Sequence, residues 1–87
     1  MGKYAVHQLD ANHHEIRQAL EAVGAVVDSR APLDFLVGFR GQNWLLEAKT
    51  EKGKLRPSQV KFLARWAGQA AVVRSPDEAL KVIGAIA

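Results

Sequence analysis

The stretch Leu33-Asp34-Phe35-Leu36-Val37-Gly38-Phe39-Arg40-Gly41-Gln42-Asn43-Trp44-Leu45-Leu46-Glu47-Ala48-Lys49-Thr50 decides how this chain is read. Two apolar, partly alternating runs, Leu33 to Phe39 and Asn43 to Thr50, flank Arg40-Gly41-Gln42, a pattern that predicts a β-hairpin. With Gly41-Gln42 as the two-residue turn, Arg40 opposes Asn43, Leu36 opposes Glu47 and Asp34 opposes Lys49. Opposed residues project to one side of a sheet. Asp34, Leu36, Gly38, Leu45, Glu47 and Lys49 therefore share a face that is apolar at its inner end and charged at its outer end. The gathering of two carboxylates and an ammonium depends on that register.

Working outward, Asp10 to Val23 carries Ile16, Ala19, Leu20 and Val23 at helical spacing, and Gly24 stops the helix. Asp10 is one candidate N-cap, and Asn12 with Glu15 three residues later, as a capping box, is the other. Ala25 to Ser29 is short and β-branched, which predicts a strand, and Ala31-Pro32 separates it from the hairpin. After the hairpin, Lys52-Gly53-Lys54-Leu55-Arg56-Pro57 is polar and loop-like. Ser58 then reads as the N-cap of a second helix whose Val60, Phe62, Leu63, Trp66 and Ala67 point inward, ending at Gly68. Gln69 to Arg74 reads as a fourth strand. Ser75-Pro76-Asp77-Glu78 is a helix start, with Ser at the N-cap, Pro at N1 and Glu at N3. The expected order is α-β-β-β-α-β-α, an α+β fold with a four-stranded mixed sheet covered by helices.

With 87 residues and no internal repeat or linker, the sequence is expected to form one domain, residues 1–87. Hydrophobic residues make up 48% and charged residues 24%, which excludes a long disordered or low-complexity chain. The absence of cysteine excludes disulfides and thiolate zinc sites and is compatible with a cytoplasmic setting. No apolar run approaches the ~18 residues of a membrane span, so no membrane association is expected. His7, His13 and His14 do not have the spacing of a zinc site. Between Arg40 and Arg65 seven basic residues stand against two acidic ones, a net charge of +5, which leaves −2 for the rest of a chain whose total is +3. Such a basic middle segment fits a polyanionic partner as well as it fits a solvated surface.

Oxygen ligands suit Mg²⁺ or Mn²⁺, and Mg²⁺ is commonly held by one or two carboxylates together with phosphate oxygens and water. Asp34 and Glu47 supply two carboxylates. A lysine beside them is placed to orient an attacking water and offset charge on a phosphodiester transition state. The same trio also fits a simple cross-strand salt bridge, and spacing alone does not separate the two.

Pro32-Leu33-Asp34 followed by Glu47-Ala48-Lys49 resembles the Asp…Glu-x-Lys signature of the PD-(D/E)XK nuclease superfamily. The likeness extends over nearly the whole chain: a helix ending at Gly24, a strand, the Asp strand, the Leu45-to-Lys49 strand, a basic loop, Ser58-Gln59-Val60 opening a helix, and a closing Ala70-Ala71-Val72-Val73 strand. The sequence is most similar to small stand-alone phage VRR-NUC domains, with archaeal Holliday junction resolvases next. The resemblance implies a restriction-endonuclease-like core and a metal-dependent endonuclease cutting branched or structured DNA. It implies Asp34, Glu47 and the carbonyl of Ala48 as ligands of Mg²⁺ or Mn²⁺, Lys49 as the catalytic lysine, and Gln59 beside them, orienting Lys49 or a phosphate or else making local bonds at its helix start. No small-molecule cofactor is implied.

Two departures from the family pattern stand out. The usual Pro-Asp is here Pro-Leu-Asp. Related nucleases also place an acidic ligand on the first helix where this chain has His13. His13 as an imidazole ligand, Glu15 as a metal ligand or capping residue, and Asn12 as an oxygen ligand or structural group are the alternatives there. Lys52, Lys54, Arg56, Lys61 and Arg65 are candidate phosphate contacts. Trp44 and Trp66 are placed either to stack bases or to serve in the core or a dimer contact. Further expectations are a homodimer, which would present two sites to two strands, and action in the cytoplasm of a bacterial or phage-infected cell. The alternative function is a DNA-binding module that retains the nuclease fold without turnover.

Overall fold

The structure is a computed structural model that describes the backbone of residues 3–87 and the side chains of residues 12–87. Seven elements follow in order: α1 (Lys3–Ala22), β1 (Val26–Ser29), β2 (Phe35–Phe39), β3 (Gln42–Ala48), α2 (Pro57–Arg65), β4 (Ala70–Val73) and α3 (Pro76–Val82). The sheet order is β1-β2-β3-β4, antiparallel except for the parallel pair β3·β4, whose crossover is α2. This is the α+β arrangement expected from the sequence.

The alternation of β2 distributes its side chains to two cores. Phe35, Val37 and Phe39 join Trp44 and Leu46 of β3 against Ile16 and Leu20 of α1 and Ala79 of α3. On the opposite face Leu45 packs with Leu33 and Phe62, and Leu36, Leu63 and Ala70 close round them. The helices therefore divide between the faces, with α1 and α3 on one side and α2 on the other. Trp44 is a core residue, 7% exposed.

The hairpin turn sits one residue earlier than the sequence suggests. Arg40 and Gly41 occupy it, both at positive φ (53° and 79°), and Phe39 pairs with Gln42. A turn with two left-handed residues matches the twist of the strands it joins. The shift moves every cross-strand partner by two, so Leu36 opposes Leu45 rather than Glu47. Two is the side-chain period of a strand, so each residue keeps its face and the co-facial set survives. Asp34, just before β2, donates its N–H to the Leu46 carbonyl and does not pair with Lys49.

Helix starts differ from the sequence reading in two places. Helix α1 begins at Lys3, so neither Asp10 nor Asn12 caps it. The Asn12 amide is engaged elsewhere, donating to the Lys49 carbonyl at 2.6 Å. The side chains of His7 and Asp10 lie outside the described residues. The other end is as expected: Gly24 at φ 94° closes a Schellman motif, with Gly24 N–H donating to Glu21 and Ala25 N–H to Leu20. The N-cap of α2 is Arg56 rather than Ser58, because Pro57 takes N1, where its missing N–H costs nothing, and Gln59 at N3 accepts the Arg56 N–H at 3.0 Å. The start of α3 is as read, with Ser75 Oγ accepting from Glu78 N–H at 3.1 Å.

The inward face of α2 is narrower than its apolar content suggests. Phe62 is buried and Leu63 half-buried, whereas Val60 is 51% and Trp66 42% exposed, and Ala67 is exposed too. Val60 stands two residues before Phe62, roughly 200° round the helix, and cannot share its face. Trp66 follows the last helical residue in extended conformation and folds its indole back on the Phe62 ring at 5.1 Å.

Candidate active site

At the end of the sheet where β3 leaves its pairing with β2, a cleft of about 190 Å³ opens between α1, the hairpin ends and the loop after β3. Asp34, Glu47, Ala48 and Lys49 line it, joined by Asn12 and His13 from α1 and by Thr50, Gly53, Lys54 and Arg56 from the loop. The structure thus brings together the trio that the hairpin arithmetic placed on one face.

Each member is held by its element. Asp34 precedes β2, where its N–H donates to the Leu46 carbonyl at 3.1 Å, and its Oδ2 accepts the Ala48 N–H at 2.8 Å. Ala48 N–H thus points toward Asp34, and in a strand the carbonyl of the same residue lies on that side as well. Lys49 N–H donates across to Val73 of β4 at 3.0 Å, which fixes the residue's main chain just past the end of β3. Its ammonium lies 3.2 Å from Glu47 Oε2.

Glu47 is the most constrained group. It is 3% exposed, and its Oε1 is buried without a hydrogen-bond partner. Burial raises its pKa above the ordinary value, and the neighbouring charge of Asp34 raises it further, while Lys49 and then Gln59 work in the opposite direction. A buried carboxylate oxygen without a partner is costly. A cation in the cleft would relieve that cost, so the donor set fits a hard divalent ion such as Mg²⁺: two carboxylates and a carbonyl, all oxygen. Among the described residues no group of three or more His, Asp or Glu side chains gathers into a ligand cluster.

The first-helix alternatives are sorted by position. His13 lies on the Phe35 ring, with centroids 4.4 Å apart, and its Nε2 is 3.8 Å from Asp34 Oδ1, so it borders the cleft. Asn12 lines the cleft through its bond to the Lys49 carbonyl. Glu15 is exposed and is not among the lining residues. Gln59 is 1% exposed and sits beneath the trio on α2, its Oε1 turned to Arg56 N–H.

Of the basic residues, Lys54 and Arg56 border the cleft, and Lys52, Lys61 and Arg65 are exposed. The Arg65 guanidinium lies over Phe62 at 5.2 Å. One residue that the sequence did not flag is Arg74, just after β4. Its Nη1 donates to the carbonyls of Thr50 at 2.7 Å and Gly53 at 2.8 Å. No local pattern could have revealed it, since those partners are more than twenty residues away.

Neither a protein-family model nor a curated protein matches the sequence. A comparison with solved structures finds a chain described as a VRR_NUC domain, 28% identical, covering 80% of this chain and 87% of that one with a TM-score of 0.66. No helix among the described residues is long and apolar enough to cross a membrane.

Proposed function

We propose, from its likeness to a solved VRR_NUC domain, that this chain is a metal-dependent endonuclease of the PD-(D/E)XK type that hydrolyses phosphodiester bonds in branched or structured DNA. The observation that carries this reading is the meeting of Asp34, Glu47 and Lys49 at the mouth of one cleft, with a buried Glu47 oxygen left without a partner.

In this reading Asp34, Glu47 Oε1 and the Ala48 carbonyl would hold Mg²⁺ or Mn²⁺, and the ion, when bound, would supply the Lewis acidity that phosphodiester hydrolysis draws on. Lys49 Nζ, 3.2 Å from Glu47 Oε2, orients the attacking water and offsets the negative charge that grows on the phosphate oxygens as the water oxygen bonds to phosphorus and one P–O ester bond breaks. Gln59 supports the charged form of Glu47 from below. Lys54 and Arg56 at the cleft, with Lys52, Lys61 and Arg65 beyond it, hold the DNA backbone and position it without reading sequence.

A homodimer acting in the cytoplasm belongs to the same reading. Val26 is 73% exposed on the edge strand β1, and Trp66 borders an apolar groove of about 320 Å³ with Phe62 and Pro32. Either surface offers area for pairing. Light scattering coupled to chromatography would show a mass of two chains, and a monomer at working concentration would remove this part.

The test of activity is cleavage of labelled junction, flap, single-stranded and linear duplex DNA with Mg²⁺, Mn²⁺ or chelator, beside Lys49→Ala and Glu47→Ala. Metal-dependent cutting that both substitutions abolish is the expected result. The position of His13 where related nucleases carry an acid favours a second reading, a DNA-binding module without turnover. Salt-sensitive binding with no cutting under any metal would establish that reading instead.

A further inference from the structure

The loop that carries the cleft's basic residues, Thr50 to Arg56, has no regular secondary structure, yet its first half is tied down from outside. Arg74 Nη1 donates to the Thr50 carbonyl at 2.7 Å and to the Gly53 carbonyl at 2.8 Å, with a longer contact of 3.4 Å to Glu51. Inside the loop Gly53 N–H donates to Thr50 at 3.0 Å, so the guanidinium closes a turn whose two ends it grips. The turn is tight. A Cβ on Gly53 would stand 3.1 Å from Thr50 Oγ1 and 3.5 Å from Lys49 Cδ, so the loop folds directly against the lysine.

Arg74 is itself anchored from its other side. Its N–H donates to Glu78 Oε1 of α3 at 2.6 Å, and the residue before it, Val73, accepts the Lys49 N–H at 3.0 Å. One short segment, Val73-Arg74, therefore supports both the main chain of Lys49 and the loop that follows it. The bonds are charge-assisted and aimed at carbonyls, so they fix backbone rather than a partner side chain.

We infer that Arg74 is a positioning residue of this site, which holds the Thr50–Gly53 turn so that Lys54 and Arg56 stand at the cleft ready to take DNA phosphates. The inference rests on the nuclease reading for its substrate, but not for the loop-holding itself. Arg74 does not touch the reacting atoms. Its contribution is to lower the ordering cost that the basic loop would otherwise incur on binding.

The test combines kinetics with hydrogen exchange on the parent, Arg74→Ala and Arg74→Lys. In Arg74→Ala, KM for DNA is expected to rise about tenfold while kcat changes less than about threefold, the pattern of lost binding rather than lost chemistry. The Gly53 amide exchanges faster in the same variant, with core strand amides unchanged. Because the gripping contacts converge on one nitrogen, an ammonium can replace much of the function, and Arg74→Lys recovers part of both effects. An unchanged Gly53 exchange rate in Arg74→Ala would overturn the inference. So would a fall in kcat at constant KM, or a loss of binding that Lys does not reduce, which would mark Arg74 as a direct phosphate fork. If the parent itself cuts no DNA, the nuclease reading fails while the exchange data still decide whether Arg74 holds the loop.

Discussion

Asp34 and Ala48 are joined across the open end of the hairpin by a 2.8 Å hydrogen bond from the Ala48 N–H to the Asp34 carboxylate. It extends the pairing of β2 and β3 by a side-chain rung beyond the last backbone pair, Phe35 with Leu46. The carboxylate is thereby fixed beside Glu47 rather than free in solvent. Its two roles, pinning and charge, separate in two variants. Asp34→Asn retains an oxygen that can accept the Ala48 N–H, and its melting temperature should stay near the parent's while DNA cleavage falls by about a hundredfold or more. Asp34→Ala loses the rung as well and should cost a further 1–2 kcal/mol, roughly, of stability in denaturant titration. Full cleavage by Asp34→Asn would remove Asp34 from the reacting site.

Glu47 governs how the metal-free protein responds to pH. Its pKa is raised on folding, chiefly by burial and secondarily by Asp34. The folded state therefore binds a proton more tightly than the unfolded one between the ordinary and the raised values, and stability must fall as pH rises through that window. The stabilising contribution is complete below the ordinary value and gone above the raised one. Urea midpoints measured in chelator from about pH 4 to about pH 8 should show this decline, and Glu47→Gln should flatten it. Adding Mg²⁺ should restore stability to the parent at the upper end and leave Glu47→Gln little changed. A parent whose stability is the same with and without the ion would argue against Glu47 as a ligand.

The turn offers a gain of stability away from the cleft. Arg40 adopts φ 53°, a left-handed conformation that costs a residue with a Cβ and suits Asn. Its guanidinium lies 4.6 Å from the Phe39 ring centroid and recovers part of that cost. Arg40→Asn should therefore stabilise by a net of about 0.5 kcal/mol, read as a higher urea midpoint with an unchanged slope. Cleavage should not change. A lower midpoint would mean that the contact with Phe39 outweighs the backbone strain.

That turn also shows why the site was legible in sequence although its register was not. The alternation of apolar and polar residues fixes which face a side chain takes, and a displacement of two leaves faces intact, so Asp34, Glu47 and Lys49 meet at one cleft although the strand partners differ from those expected. Helix starts were less visible. Pro57 and Gln59 together moved the cap of α2 to Arg56, an arginine that no capping preference would select. Asn12 reads equally as ligand or structural group because its partner, the Lys49 carbonyl, lies 37 residues away. Arg74 carries no sequence signal for the same reason, since its partners are carbonyls brought near only by the crossover from β3 to β4. Apolar content alone points Val60 and Trp66 inward, but Val60 lies roughly 200° round the helix from Phe62 and Trp66 falls beyond the last helical residue.

The basic surface separates phosphate contacts from spectator charges through salt dependence. Each phosphate neutralised on duplex DNA releases counterions and contributes about 0.9 to the slope of log affinity against log salt. Lys54 borders the cleft and Lys61 lies on the solvent side of α2, so Lys54→Ala and Lys61→Ala should each reduce the slope by about 0.9 if both touch the backbone. Lys81 is exposed on α3, across the sheet from α2, and provides the control. Lys81→Ala removes the same charge at a residue that does not line the cleft, so its slope should match the parent's. Binding titrations at several salt concentrations, in chelator to prevent cutting, decide the matter. Equal slopes for all three variants would mean that the protein attracts DNA only through net charge, and the five-residue track along the loop and α2 would have to be abandoned.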